Sequence, residues 1–361
     1  MATKKTTKPE LFGLYVHWPY CIHKCPYCDF ASTACKTPDE NALLKTYIRD
    51  MDFFQDNRPL TSLFFGGGTP SLMSVSFFEK LMRAIHQRYT FAPNIEITME
   101  VNPDTVDKAK LKEFKNLGIN RLSIGVQSLN GKDLKFLERT HTATRAIQCI
   151  REAQEIFKNI NIDLIYARPH QSLKAWEQEL AQALKFNLPH YSLYQLTIED
   201  NTVFGKRGLN AATETQARRL YQLTDDIMNA AHKPAYEVSN YAQKGFECRH
   251  NMTYWLGSDY IGIGPAAHGR LGLKATYNTR SVSMWLKNNP QIEILTQQER
   301  DLEKLLMGLR LRQHAFASQK LNPKKVQKAI QKGWLIQTKK GIIPTQSGTL
   351  MLNQLILLLV D

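Results

Sequence analysis

The chain has 361 residues, 43% of them apolar, which is enough for a large packed domain plus a smaller one and too apolar for wholesale disorder. Its formal charge is +14, yet the lysines and arginines are scattered apart from pairs such as Lys324-Lys325 and Lys339-Lys340. No stretch interleaves arginine with aromatics as a single-strand binder does, so the charge reads as a solvated basic surface and nucleic acid is excluded as the expected partner.

Residues 1–10 form a polar, basic tail without the apolar stretch of a secretory signal. The apolar run at 355–360 is far too short to span a bilayer, so no membrane anchor is expected and any membrane contact is peripheral. A cytoplasmic chain with reduced thiols follows, in which clustered cysteines mean metal or catalysis rather than disulfides.

A strand is predicted at 11–18. Directly after it come Cys21, Cys25 and Cys28, with three and two residues between them. Thiolates at such spacing select zinc or an iron–sulfur cluster. Structural zinc takes four protein ligands, and a fourth close cysteine is missing. A four-iron cluster on three thiolates keeps one iron open to a ligand that is not protein.

Further strands are predicted at 60–65, 95–101, 121–126, 160–167 and 191–198. Helices are predicted between them at 39–55, 74–89, 105–117, 143–157 and 173–186. Such alternation implies a parallel sheet with crossover helices, either an open doubly wound sheet or an incomplete (β/α)6 barrel. The unusual residues fall repeatedly at strand ends: the cysteines, Gly66-Gly67-Gly68-Thr69-Pro70, Glu100, Gln127 and Asp163. Barrel active sites gather there, which favours the barrel, within an α/β fold class. A helix at 214–231 follows, then a Tyr- and Gly-rich stretch, 235–272, with no clear assignment. From 298 the pattern reads helix, helix (323–333), a hairpin across 334–345 and a closing helix at 349–360. That is a small winged-helix-like α+β unit, and the expected boundaries are 11–290 and 291–361.

The C-x3-C-x2-C run after the first strand, with Tyr27 before its last cysteine, resembles the radical S-adenosylmethionine superfamily. The resemblance implies a radical-SAM-type barrel and a [4Fe-4S] cluster on Cys21, Cys25 and Cys28. Its open iron is chelated by S-adenosyl-L-methionine, which the cluster can cleave to a deoxyadenosyl radical. Gly67, Gly68 and Thr69 would cradle the methionyl end, with Tyr15 and Tyr27 lining the pocket. Glu100, Gln127, Arg139 and Asp163 match the remaining S-adenosylmethionine positions through the stretches EVNP, GVQS, LERTH and DLIYARP. His17 and His23 flank the cysteines as outer partners.

These stretches together resemble the coproporphyrinogen-oxidase-like branch, from residue 11 to the C-terminus. The oxygen-independent coproporphyrinogen III oxidase of that branch has a further cysteine where this chain has Phe30, and a longer extension before the cluster. Both departures are similar to the heme-chaperone members instead, as is His250-Asn-Met-Thr-Tyr-Trp255. The resemblance implies heme as ligand, with His250 as the candidate axial residue and Cys248 and His268 as rivals. It further implies transfer of heme to an acceptor protein, a respiratory enzyme being one candidate, and a homodimer. The expected function is therefore a heme chaperone carrying the cluster and S-adenosylmethionine, with oxidative decarboxylation of coproporphyrinogen III as the alternative and enzymatic activity left open.

Overall fold

The computed structural model describes residues 10–312, 314–316 and 321–360; all but the last residue of the expected basic tail lies outside them. Six strands run parallel in chain order: β1 (Phe12–Trp18), β2 (Leu60–Gly67), β3 (Phe91–Val101), β4 (Arg121–Gln127), β5 (Asn159–Tyr166) and β6 (His190–Gln195). Helices Glu40–Phe53, Val75–Arg88, Lys108–Asn116, Ala143–Gln154 and Leu173–Leu184 cross between them. Each begins where a short polar side chain caps the first turn: Asp39 and Ser74 accept from the amides of Ala42 and Phe77, and Thr142 and Ser172 act alike. The expected (β/α)6 unit is thus present.

Period-two alternation sorts the strands by face. Leu14, Val16, Leu63, Phe65, Ile97, Met99, Leu122, Ile124 and Ile162 join one continuous apolar core with residues of the helices. The intervening residues Tyr15, Glu100, Ser123, Asp163, Ser192 and Tyr194 face the barrel interior instead. All eight residues of β2 are buried, as expected for a strand covered on both faces.

The stretch without an assignment, 235–272, completes the sheet on both sides. Strand β7 (Asn240–Ala242) adds antiparallel to β6, and β8 (Asp259–Ile263) adds parallel to β1. Between them, helix Arg249–Trp255 packs against β1, β2 and β8. Beyond β8 the antiparallel strands β9 (His268–Leu271), β10 (Lys274–Tyr277) and β11 (Gln291–Ile294) extend the sheet to eleven strands. Periodicity does not reveal these strands because they are only three to five residues long.

A second, smaller core gathers Leu309, Val326, Ala329, Leu335, Ile342, Leu355 and Leu359. It is built from helices Gln297–Gly308, Pro323–Gln331 and Leu352–Val360 around the hairpin Leu335–Thr338/Gly341–Pro344. Thr296 and Glu299 form a capping box at its first helix. Just after the expected boundary at 290/291, Gln291–Ile294 pairs with β10 as the edge of the large sheet.

Candidate cofactor site

The cysteine loop leaves β1 and is fastened at several points. Tyr20–Cys21 pairs with Thr33–Ala34, the Cys28 amide donates to the Cys25 carbonyl at 3.0 Å, and Lys24 Nζ donates to the carbonyls of Phe30 and Ser32. His17 Nε2 meets the Ala31 carbonyl at 2.9 Å, and its Nδ1 lies 3.0 Å from the Tyr15 hydroxyl. A carbonyl only accepts, so Nε2 carries the proton and the Tyr15 hydroxyl donates to Nδ1. Burial keeps His17 neutral by lowering its pKa.

The glycine stretch at the end of β2 is steric in purpose. A Cβ on Gly68 would sit 2.5 Å from the Tyr20 carbonyl oxygen, and Gly67 has φ +108° with a Cβ position 2.7 Å from the Trp18 oxygen. The amides of Gly68 and Thr69 donate to the carbonyls of Trp18 and Tyr20, and the Gly67 amide donates to Glu100 Oε2 at 3.2 Å. These amides hold the loop against the segment leading to the cysteines.

Every cofactor residue expected from sequence lines one cavity of about 590 Å³: Tyr15, Cys21, Cys25, Tyr27, Cys28, Gly67, Gly68, Thr69, Glu100, Gln127, Arg139, Asp163 and His250. Gln127 reaches it from a left-handed backbone (φ +65°) beside an irregularity in β4. Arg139 donates to the Gly125 carbonyl at 2.8 Å and to Cys25 Sγ at 3.4 Å, while its buried Nε has no partner among the described residues. Glu100 is pushed up to about 8, first by burial and then by the neighbouring Asp163 carboxylate. Burial also raises Asp163, against the hydrogen bonds of Ser192, Asn161 and Ser123.

His250 is placed differently from a free ligand. It is 1% exposed, its Nδ1 lies 3.0 Å from Ser62 Oγ, and its Nε2 lies 2.7 Å from the Tyr254 hydroxyl. Phe64 and Tyr15 stack on its ring. Burial, helped by Arg121, lowers its pKa to about 3, so it is neutral. Both nitrogens thus have hydroxyl neighbours within the cavity it lines. Cys248 lies deeper still, fully buried against Glu96, with its thiol pushed up to about 12 by burial. Arg249 turns to the Asn94 carbonyl.

Several lining residues lie outside the expected set: Arg121, Ser123, Ser192, Tyr194 and Asn251. Strand alternation carries the signal for Ser123, Ser192 and Tyr194, which share parity with Arg121 and His190 on their strands. For Asn251 no comparable signal exists.

The donor set fits an iron–sulfur cluster with an amino-acid-like ligand. Three free thiols rim one cavity, with a guanidinium on one of them. Among the described residues no group of three or more His, Cys, Asp or Glu converges as a single metal ion requires. Thiols spread around a rim suit a cluster that offers each a separate iron. Glu100, Gln127, Arg139 and Asp163 could hold the ligand's charged and hydroxyl groups.

The comparisons agree with this geometry. The sequence model of the Radical SAM superfamily matches residues 15–183. The fold is similar to that of "Coproporphyrinogen III oxidase (HemN) from Escherichia coli", with a TM-score of 0.83 over 97% of this chain and 90% of that one, at 20% identity. Fold and site together define a radical SAM protein. Heme chaperone HemW of Buchnera aphidicola subsp. Schizaphis graminum is 35% identical over 97% of this chain and 98% of its own length. The Escherichia coli (strain K12) protein of the same name is 39% identical over 72% of this chain and 70% of its own. The chain belongs to the HemW family.

Proposed function

We propose that this protein is a heme chaperone, which binds heme and passes it to an acceptor protein in a state that depends on a [4Fe-4S] cluster and S-adenosyl-L-methionine. The observation that carries the reading is similarity over nearly the whole chain to proteins named heme chaperones, with the cysteine-rimmed cavity intact. In this reading Cys21, Cys25 and Cys28 hold the cluster. Glu100, Gln127, Arg139 and Asp163 orient S-adenosylmethionine, and Tyr15 and Tyr27 close its pocket. When bound, the pair supplies one-electron chemistry beside the open iron. The protein's own part is to orient and to set charge: Arg139 donates to Cys25 Sγ, and Glu100 holds a proton it can release toward a cationic ligand.

The acceptor, a respiratory enzyme being one candidate, is met in the cytoplasm, and the working form is a homodimer. Among the described residues no helix is long and apolar enough to cross a membrane, which accords with peripheral contact only. Phe30 favours this reading over coproporphyrinogen III oxidation, since by resemblance the oxidase has a cysteine at that position. The deciding experiment reconstitutes the full chain without oxygen and assays heme binding beside coproporphyrinogen III conversion. Stoichiometric heme binding without conversion is expected; conversion would contradict the proposal.

A further inference from the structure

Gln127 stands where a glutamine seldom stands. At the end of β4 its φ is +65°, and the Ser128 amide donates to the Val126 carbonyl at 2.8 Å, closing a three-residue turn around it. Turns of that hand are rare and strained for a residue with a side chain. The end of β5 repeats the feature one strand over, where Ala167 has φ +57°. Such conformations persist only where the surroundings over-determine them. Here Gln127 lines the cysteine-rimmed cavity, while Ser128 is fully buried behind it.

What over-determines the turn comes from helix Leu173–Leu184, the crossover between β5 and β6. Glu179 of that helix is buried and spends both carboxylate oxygens on the two strand ends. Its Oε1 accepts from the Ser128 hydroxyl and from the Leu129 amide, the latter at 2.9 Å. Its Oε2 accepts from Arg168 Nη2 at 2.6 Å, one residue past Ala167. Arg168 is buried as well, and its Nη1 donates to the Ile165 carbonyl of β5 at 2.9 Å. The same Nη2 lies 3.0 Å from Asp133 Oδ2, on helix Gly131–Phe136. One buried pair thus joins the residues that follow Gln127 to the end of the strand that carries Asp163. Ser128, Arg168 and Glu179 all stand outside the cavity wall. A buried ion pair is weak evidence for stability, so its place directly behind a strained cavity residue needs another account.

We propose that Glu179 is a positioning residue for S-adenosylmethionine. Through Ser128 and Leu129 it holds the turn that aims Gln127 at the ligand, and through Arg168 it keeps that turn in step with β5. The assignment rests on the reading of the cavity as the S-adenosylmethionine site and adds to it a residue outside the cavity wall. Glutamate is required there by its acceptor count. It faces only donors: a hydroxyl and an amide on one oxygen, a guanidinium on the other. The amide of glutamine has one acceptor oxygen and sets its NH2 group against a donor on the other side. Either the turn or the buried guanidinium then loses its partner, and the strain at Gln127 is free to relax.

The test measures S-adenosylmethionine binding by calorimetry in the anaerobically reconstituted full chain, with cluster absorbance and circular dichroism recorded on each variant. Glu179→Gln should weaken binding roughly tenfold and keep the cluster absorbance. Ser128→Ala, which removes one hydroxyl, should weaken it by less and serves where Glu179→Gln does not fold. Gln127→Ala removes the group being aimed. In that background Glu179→Gln should add a further loss of about twofold or less, because it acts through the missing side chain. An equal further loss in the Gln127→Ala background would show a general structural role and overturn the proposal. So would wild-type affinity in Glu179→Gln or, where that variant does not fold, in Ser128→Ala. Both results leave the S-adenosylmethionine reading of the cavity standing. Wild-type affinity in Gln127→Ala would instead overturn the reading of Gln127, and the proposal with it.

Discussion

Arg139 Nη1 and Cys25 Sγ stand 3.4 Å apart although 114 residues separate them in the chain. The same guanidinium holds the Gly125 carbonyl at the end of β4, so it ties the cysteine loop to the barrel rim. A planar guanidinium that donates to both sulfur and carbonyl holds the cysteine in place at the site. Arg139→Leu should therefore lose cluster on gel filtration and bind S-adenosylmethionine about 10–100-fold more weakly, with iron content and calorimetry as readouts. Arg139→Lys should recover only part, since an ammonium replaces the planar fork by a point charge.

Gly68 tests how the glycine loop positions the cysteines. Its Cβ would fall 2.5 Å from the Tyr20 carbonyl oxygen, which is backbone and cannot rotate away. Gly68→Ala should cost about 1–3 kcal/mol in urea unfolding and reduce cluster content more than a surface control such as Lys328→Ala. Equal cluster content would mean that the contact does not fix the loop.

Glu100 predicts a pH dependence. Its folded pKa of about 8 lies above the ordinary 4.5, so the folded chain holds a proton that the unfolded chain has released between these values. Stability therefore falls as pH rises through this window, and Asp163, also raised, acts in the same direction. Melting temperature measured from pH 5 to 9 should fall less in Glu100→Gln than in the wild-type chain. Parallel slopes would contradict the assignment.

His250 predicts the opposite sign at acid pH. Its folded pKa of about 3 lies below the ordinary 6.5, so below pH 6.5 the unfolded chain takes up a proton that the folded chain refuses. The stability of the neutral form is present above pH 6.5 and lost as pH falls toward 3; His190 and His17, also buried and lowered, add to this loss. Urea unfolding at pH 7.5 and pH 5 should differ less in His250→Gln than in the wild-type chain.

The parallel strands were legible because each carries a run of β-branched or aromatic residues, followed by a helix with a cap. The cysteines and Gly67-Gly68-Thr69 were legible because close spacing of unusual residues survives without tertiary information. Strands β7 to β11 were not, being too short to show a period. His250 shows the other limit: its motif announces chemistry, but only the packing reveals that Ser62 and Tyr254 already occupy both nitrogens. Strand Gln291–Ile294 gave no signal either, because an edge strand with four exposed residues looks like a linker.

In the proposed function this cluster-bearing chain carries heme instead of converting a porphyrin precursor. The most direct measurement incubates the reconstituted protein with S-adenosylmethionine, a reductant and coproporphyrinogen III, follows the porphyrin products, and titrates the same preparation with heme. A saturable Soret band at one heme per chain and no decarboxylated product are expected. Formation of protoporphyrinogen, or the absence of any saturable heme band, would contradict it.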